Sequence, residues 1–249
     1  MNVTFYAPFA TGNVKTLINI GRDLHKNIPA MNKSWDKHNQ VMLGVQVVDT
    51  YNLITKFPVK SVADLKGKKL YTPGAVSNWL KNTGAVGING GLPVYYNGIK
   101  TGLADGGIVI NTGMFPFKIH EVAPYITKVD MGGPISGALT MNKDTWNSLP
   151  PHLQDIFKKL GDEYSDIHAQ TIDKKAKLFL KLMAKQGATV SEFPAAERRK
   201  WAGMIPNIAK EWVDANEAKG LPAKAVMKAF MDGVRKRGGT PVRAWDEGL

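Results

Sequence analysis

The stretch Phe57-Pro58-Val59-Lys60-Ser61-Val62-Ala63-Asp64-Leu65-Lys66-Gly67-Lys68-Lys69-Leu70-Tyr71 decides how the rest of the chain is read. It spells a turn, a short polar helix that ends at Gly67, and a strand that begins at Lys69-Leu70-Tyr71. The residue at which that strand arrives, Tyr71, becomes the reference point for the search for a site.

Working outward, the chain changes character near residue 146. Before it, short apolar runs alternate with Gly- and Pro-rich turns: Val41 to Val48, Lys69 to Thr72, Gly107 to Ile110 and Gly137 to Met141. Helix candidates lie between them, around Val14 to Leu24, Val76 to Thr83, Val94 to Thr101 and Phe115 to Val122. That alternation predicts an α/β fold with a largely parallel sheet.

After residue 146 the pattern is helical. Pro150-Pro151 suit a first helical turn, and Leu153, Ile156, Phe157, Leu160, Tyr164 and Ile167 recur at three- and four-residue steps. Gly187 is a suitable stop, so the spacing predicts one helix approaching forty residues, roughly 60 Å long. A helix of that length bridges two lobes or braces both. A short strand follows at Ala188-Thr189-Val190, then a helix from Ser191-Glu192-Phe193-Pro194 through Trp201 to Trp212, and a last one over Ala223 to Arg237.

Composition sets outer limits. With 43% apolar and 22% charged residues the chain has the make-up of a globular domain, and no run of eighteen apolar residues offers a membrane-spanning helix. Cysteine is absent, which removes disulfides, thiolate nucleophiles and cysteine-held metals. The net charge of +12 raises the question of nucleic acid. The basic residues are spread along helices, as in Lys174-Lys175-Ala176-Lys177, rather than interleaved with aromatics, so no nucleic-acid partner is expected. The start, Met1-Asn2-Val3-Thr4-Phe5-Tyr6, shows no basic segment followed by an apolar one. Either the chain is cytoplasmic, or it begins after an export signal and Met1 is an internal methionine.

Enzymatic motifs are not found. The histidines His25, His38, His120, His152 and His168 have no metal-binding spacing, and no G-x-S-x-G elbow or phosphate-binding glycine loop occurs. No cofactor, metal or catalytic residue is expected. Tyr51, Tyr71, Trp79, Tyr95, Tyr96, Asn111 and Phe115 fall instead near strand ends or helix starts, where open α/β sheets place ligands.

Six landmarks in order from Phe5 to Trp245 then point to one family. They are Ala7-Pro8-Phe9, the segment Phe57 to Lys69, Gly84-Ala85, Leu103-Ala104-Asp105-Gly106, Lys118 to Ile126, and Trp146-Asn147-Ser148-Leu149-Pro150. Together they resemble the solute-binding component of tripartite ATP-independent periplasmic (TRAP) transporters, the DctP-like family. The resemblance implies two α/β lobes joined by hinge strands and braced by a long helix. It implies a monomeric periplasmic protein, not an enzyme, that traps a small organic ligand between its lobes and delivers it to TRAP membrane subunits. Residues 1–40 and 110–249 would form parts of the first lobe, hinge and bracing helices, with 41–109 part of the lobe-crossing α/β segment. It also implies a strand–helix–strand portion ahead of Ala7-Pro8-Phe9, hence a longer complete gene product.

The chain departs from the family where ligand is held. The family's carboxylate-binding arginine aligns with Tyr71, its polar residues after Asp-Gly align with Gly107, Ile108 and Val109, and a glutamate aligns near Val94. A guanidinium fork grips a carboxylate bidentately, whereas a tyrosine offers one hydroxyl and an aromatic face. The expected ligand is therefore atypical: aromatic or weakly charged rather than a simple dicarboxylate. Tyr71, Tyr51 and Asn111 are the expected contacts, with Val109 and Phe115 as apolar walls. Two alternatives remain at this level, a ligand-sensing module derived from such a protein and an enzyme with an unrecognised site.

Overall fold

Glycine and proline punctuation fixes most element ends. The computed structural model describes residues 2–249, so the reading of Met1 lies outside it. In chain order the elements are α1 (Val14–Asn27), α2 (Pro29–Asp36), β1 (Gln40–Val47), β2 (Tyr51–Thr55), β3 (Lys69–Thr72), β4 (Val86–Asn89), α3 (Leu92–Lys100), β5 (Gly106–Ile110) and α4 (Asn111–Met114). There follow β6 (Tyr125–Lys128), β7 (Ile135–Asn142), α5 (Lys143–Ser148), α6 (Pro151–Lys185), β8 (Thr189–Glu192), α7 (Ala195–Met204), α8 (Ile208–Glu217) and α9 (Ala223–Lys236). The fold is α/β, as expected.

The short polar helix ahead of Tyr71 is a 3-10 turn, Val62–Leu65, closed by a capping box between Ser61 and Asp64. Gly67 follows at φ 73°, a left-handed position that favours glycine, and turns the chain into β3. Two expected helices differ from what periodicity suggested. Phe115 to Val122 holds no α-helix: α4 ends at Met114, and beyond Lys118, at φ 53°, only a 3-10 turn at Ile119–Glu121 forms. The helix read through Trp201 to Trp212 is two, α7 and α8, because Pro206 between them has no N–H to continue the ladder.

Six strands form one sheet in the order β4-β3-β5-β2-β6-β8, and β1 pairs with β7 in a second. The large sheet is mixed rather than largely parallel. β3 runs parallel to β4 and β5, and β6 to β8, but β2 is antiparallel to both its neighbours. The reason is where β2 enters: it comes directly from β1, so it starts beside the end of β5, Tyr51 facing Ile110.

The two sheets are tied by α6, which is 35 residues long and so spans about 52 Å. Its N-terminal half crosses β1 at close range. Ser165 Oγ accepts from Val45 N at 2.9 Å, and a Cβ on Gly161 would fall 2.1 Å from the Leu43 carbonyl oxygen. Further along, Phe179 packs on Phe115 beside the large sheet, with ring centroids 5.1 Å apart.

A buried core runs through both parts. The Trp79 indole donates to Phe5 O (2.8 Å), Trp245 to Pro8 O (2.6 Å) and Trp201 to Trp79 O (2.7 Å). Two of these bonds clamp the first ten residues onto the body of the protein. No helix among the described residues is long and apolar enough to cross a membrane.

One core contact is sensitive to pH. His25 Nδ1 donates to Gly21 O (2.8 Å), leaving Nε2 to accept from the Trp35 indole at 3.0 Å. Both roles require a neutral ring, and burial holds its pKa below the usual value of 6.5. The unfolded chain therefore takes up the proton more readily. Stability from this contact is complete above the unfolded value and is lost as pH falls through it towards the folded one. Urea denaturation from about pH 7.5 to about pH 5 should show a falling midpoint, and His25→Gln should flatten that dependence.

Candidate ligand site at the hinge

Two chain crossings connect the sheets, residues 48–50 between β1 and β2 and residues 129–134 between β6 and β7. They lie side by side: Val48 N donates to Pro134 O, Tyr51 N to Gly132 O, and Met131 N to Tyr51 O. The N-terminal segment joins them through Phe9 N to Met131 O (2.7 Å) and Gly133 N to Thr11 O (3.0 Å).

Side chains then brace the crossings. The Asp49 carboxylate accepts from Asn111 N at 2.7 Å and from the backbone and hydroxyl of Thr112. Burial pushes the Asp49 carboxyl up, and those hydrogen bonds from Thr112 and Asn111 oppose the shift. Asn52 Nδ2 donates to Asn111 Oδ1 (2.9 Å), while Asn52 Oδ1 accepts from Asp130 N (2.8 Å). Asn52 thus links the end of β5 to the second crossing.

Arg198, on α7, closes the arrangement from the other side. Its Nε donates to Val129 O (2.9 Å) and its Nη2 to Asp130 O (2.6 Å), while the guanidinium lies over the Phe9 ring. Its Nη1 donates to no group among the described residues.

Beside Asp130 and Arg198 lies a cavity of about 920 Å³, walled by the start of α1, the middle of α6 and Gly239-Thr240. Its charged lining is Lys15, Asp130, Asp166, Asp173, Lys177 and Arg198, three acids against three bases. Lys177 is held by Asp173 (2.7 Å), and Asp166 by Arg22 (2.8 Å). The first turn of α1 contains no acidic residue; Asn13 caps it by accepting from Thr16 N. Its remaining N–H groups and Lys15 therefore present positive potential. Gly12 permits the approach, since a Cβ there would sit 2.2 Å from Asp130 Oδ1.

None of the five residues expected from the sequence lines this cavity. Tyr51 is buried edge-on to Trp79, its hydroxyl pushed up to about 12 by burial and the Asp49 charge. Tyr71 is buried and stacked on Tyr95 at 4.6 Å, with its hydroxyl filling the space over Gly98. Val109 is buried opposite Asn52 in the sheet. Phe115 is half-buried between His120 and Phe179. Asn111 belongs directly to the braces of the crossings, and Tyr51 stands one pairing step from it. Sequence reasoning missed Asp49, Asn52, Asp130 and Arg198. Asp49 and Asn52, an acid and an amide on either side of Tyr51 and just ahead of Leu53-Ile54, were a usable signal for the first pair. Arg198 gave none, standing among other charges in Glu197-Arg198-Arg199-Lys200.

Residues 1–216 match the family described as bacterial extracellular solute-binding protein, family 7, also called DctP. The chain belongs to this family. A solute-binding protein from Sulfitobacter sp. (strain NAS-14.1) is 28% identical over 172 residues, covering 66% of this chain and 51% of that protein. The chain thus spans about half the length of this curated relative. Solved TRAP solute-binding proteins share its fold. One from Rhodoferax ferrireducens in complex with copurified benzoate superposes with a TM-score of 0.79 at 22% identity, over 93% of this chain and 73% of that one. One from a marine metagenome, specific for aromatic acid ligands and bound to 3-hydroxybenzoate, gives 0.80 at 20% identity, over 94% and 74%. One from Sulfitobacter with bound β-D-galacturonate gives 0.76 at 20%, over 92% and 74%.

Proposed function

We propose that this DctP-family chain captures a small organic ligand at the hinge and delivers it to TRAP membrane subunits outside the cytoplasm. The observation that carries the reading is the pair of hydrogen-bonded crossings beside a charge-lined cavity. A ligand that contacts both sides of such a hinge binds the closed arrangement better than the open one, and so drives closure. The lobes would meet at residues 48–50 and 129–134.

The ligand proposed is aromatic or weakly charged. Tyr71 replaces a guanidinium and is committed to packing, which leaves Arg198 and Lys15 as the cationic groups for a carboxylate. Asp130 and Asp173 stand close by, so a second carboxylate on the ligand would meet like charge. Relatives that bind benzoate and 3-hydroxybenzoate support this choice. In this reading Asn111 orients the hinge through Asp49 and Asn52. Tyr51, Tyr71, Val109 and Phe115 support it from within or beside the packed large sheet and do not touch the ligand.

A thermal-shift screen tests the proposal. Benzoate, 3-hydroxybenzoate or a neutral aromatic compound should stabilise the protein, by about 2.7 kcal/mol at a hundredfold excess over Kd. Strong stabilisation by simple C4-dicarboxylates and none by aromatic compounds would overturn the ligand class.

A further inference from the structure

Asp130 is the least engaged of the three acids that line the cavity. Asp166 and Asp173 are each held by a cation, Arg22 and Lys177, at 2.8 and 2.7 Å. The Asp130 carboxylate meets only Arg198, through Oδ2 at 3.4 Å, which is long for a charge-assisted bond. Its Oδ1 accepts from no group among the described residues. That oxygen is nevertheless held in place. It lies against Gly12, where a Cβ would come within 2.2 Å of it, and Thr50 of the first crossing closes on the same glycine. The backbone at Asp130 is fixed as well, at φ 53°, a left-handed conformation that Asp and Asn adopt more readily than most residues. Its N–H donates to Asn52 Oδ1, and its carbonyl accepts from Arg198.

We propose that Asp130 Oδ1 reads a hydrogen-bond donor on the ligand, so that the site selects an aromatic monocarboxylate that also carries a hydroxyl or amine. This rests on the reading of the cavity as the ligand site and narrows its ligand class. Arg198 Nη1 takes the ligand carboxylate, and Asp130, whose own carbonyl seats that guanidinium, takes the donor. Closure over a ligand removes water from Oδ1. An aromatic acid without a donor then leaves a desolvated acceptor unpaired, whereas one with a donor satisfies it. A site built around such a bond rejects the analogue lacking it far more strongly than an apolar wall rejects a small change of shape.

Calorimetric titration with benzoate, meta-hydroxybenzoate and para-hydroxybenzoate tests this in the unaltered chain and three variants. The unaltered chain should bind the better hydroxy acid at least about tenfold more tightly than benzoate. In Asp130→Asn that advantage should fall to about threefold or less, with benzoate bound no worse. Asparagine tolerates the left-handed backbone, and Arg198 keeps its seat because Val129 O and Asp130 O hold it. Gly12→Ala changes no charge but displaces Oδ1, and should lose the advantage likewise. Arg198→Ala should weaken all three acids alike. If it leaves every affinity unchanged, the cavity is not the ligand site and this inference falls with it. If Arg198→Ala weakens binding but the hydroxyl confers no advantage, or the advantage survives Asp130→Asn, the site stands and the role of Asp130 is overturned. Failure of all three acids to bind the unaltered chain overturns the ligand class itself.

Discussion

Arg198→Ala is expected to weaken ligand binding by roughly 10- to 150-fold, the equivalent of about 1.5–3 kcal/mol for a hydrogen bond to a charged group. The size follows from the position of the guanidinium. Its Nε and Nη2 are occupied by Val129 O and Asp130 O, and Nη1 remains to serve a ligand carboxylate beside the cavity. Arg198→Lys should recover little of the loss, because a single ammonium cannot hold the crossing carbonyls and grip a carboxylate at once. Calorimetric titration with the best stabiliser from the ligand screen measures this directly. Unchanged affinity in Arg198→Ala would place the ligand elsewhere, with the strand-end residues Asn111 and Phe115 as the next site to substitute.

The second large effect falls on stability. Trp201 is fully buried, donates its indole hydrogen to Trp79 O, and lies against Phe9 and Phe193 at centroid distances of 6.1 and 6.0 Å. Trp201→Ala should cost about 3–5 kcal/mol through the cavity it leaves, and it strips Trp79 O of its donor as well. Trp201→Phe should cost less, since it keeps one aromatic ring against both neighbours. Urea denaturation with an unchanged slope and a lower midpoint would register the loss as stability rather than altered compactness. A loss under about 1 kcal/mol for the alanine variant would mean that the site collapses around the void. The consequence reaches the crossings, because Trp201 and Arg198 sit on one helix and both pack on Phe9 of the N-terminal segment.

Local chemistry made much of the fold legible in the sequence. The turn at Pro58, the glycine stop at Gly67 and the prolines at the start of α6 act within a few residues of themselves. Element order and the long brace could therefore be read without knowing what packs against what. The breaks at Lys118 and Pro206 were legible in principle, the second more than the first, since proline removes a donor whatever its surroundings. Strands β2, β4 and β6 were not read from the sequence, and the direction of β2 was not legible. Its antiparallel run depends on where the chain crosses from one sheet to the other, which no property of Tyr51 to Thr55 encodes.

The site divides in the same way. The resemblance to the family sets the expectation that Tyr71 stands where the usual arginine would, on that strand. Where the tyrosine ring goes was decided by tertiary packing: Gly98 on α3 leaves room for its hydroxyl, and Tyr95 stacks on its face. Arg198 reaches the crossing at Val129 and Asp130 only through the docking of α7, at a sequence separation of 68 from Asp130. Hydrogen bonds of that kind are fixed by how helices and sheets settle on one another, and local propensity does not specify them. By itself the sequence determined the long brace, the last helix and the order of the strands it read, but not β2, β4 or β6; the tertiary structure alone brought Asp130, Arg198 and the start of α1 around one cavity, because contacts across the chain are set by packing and not by local propensity.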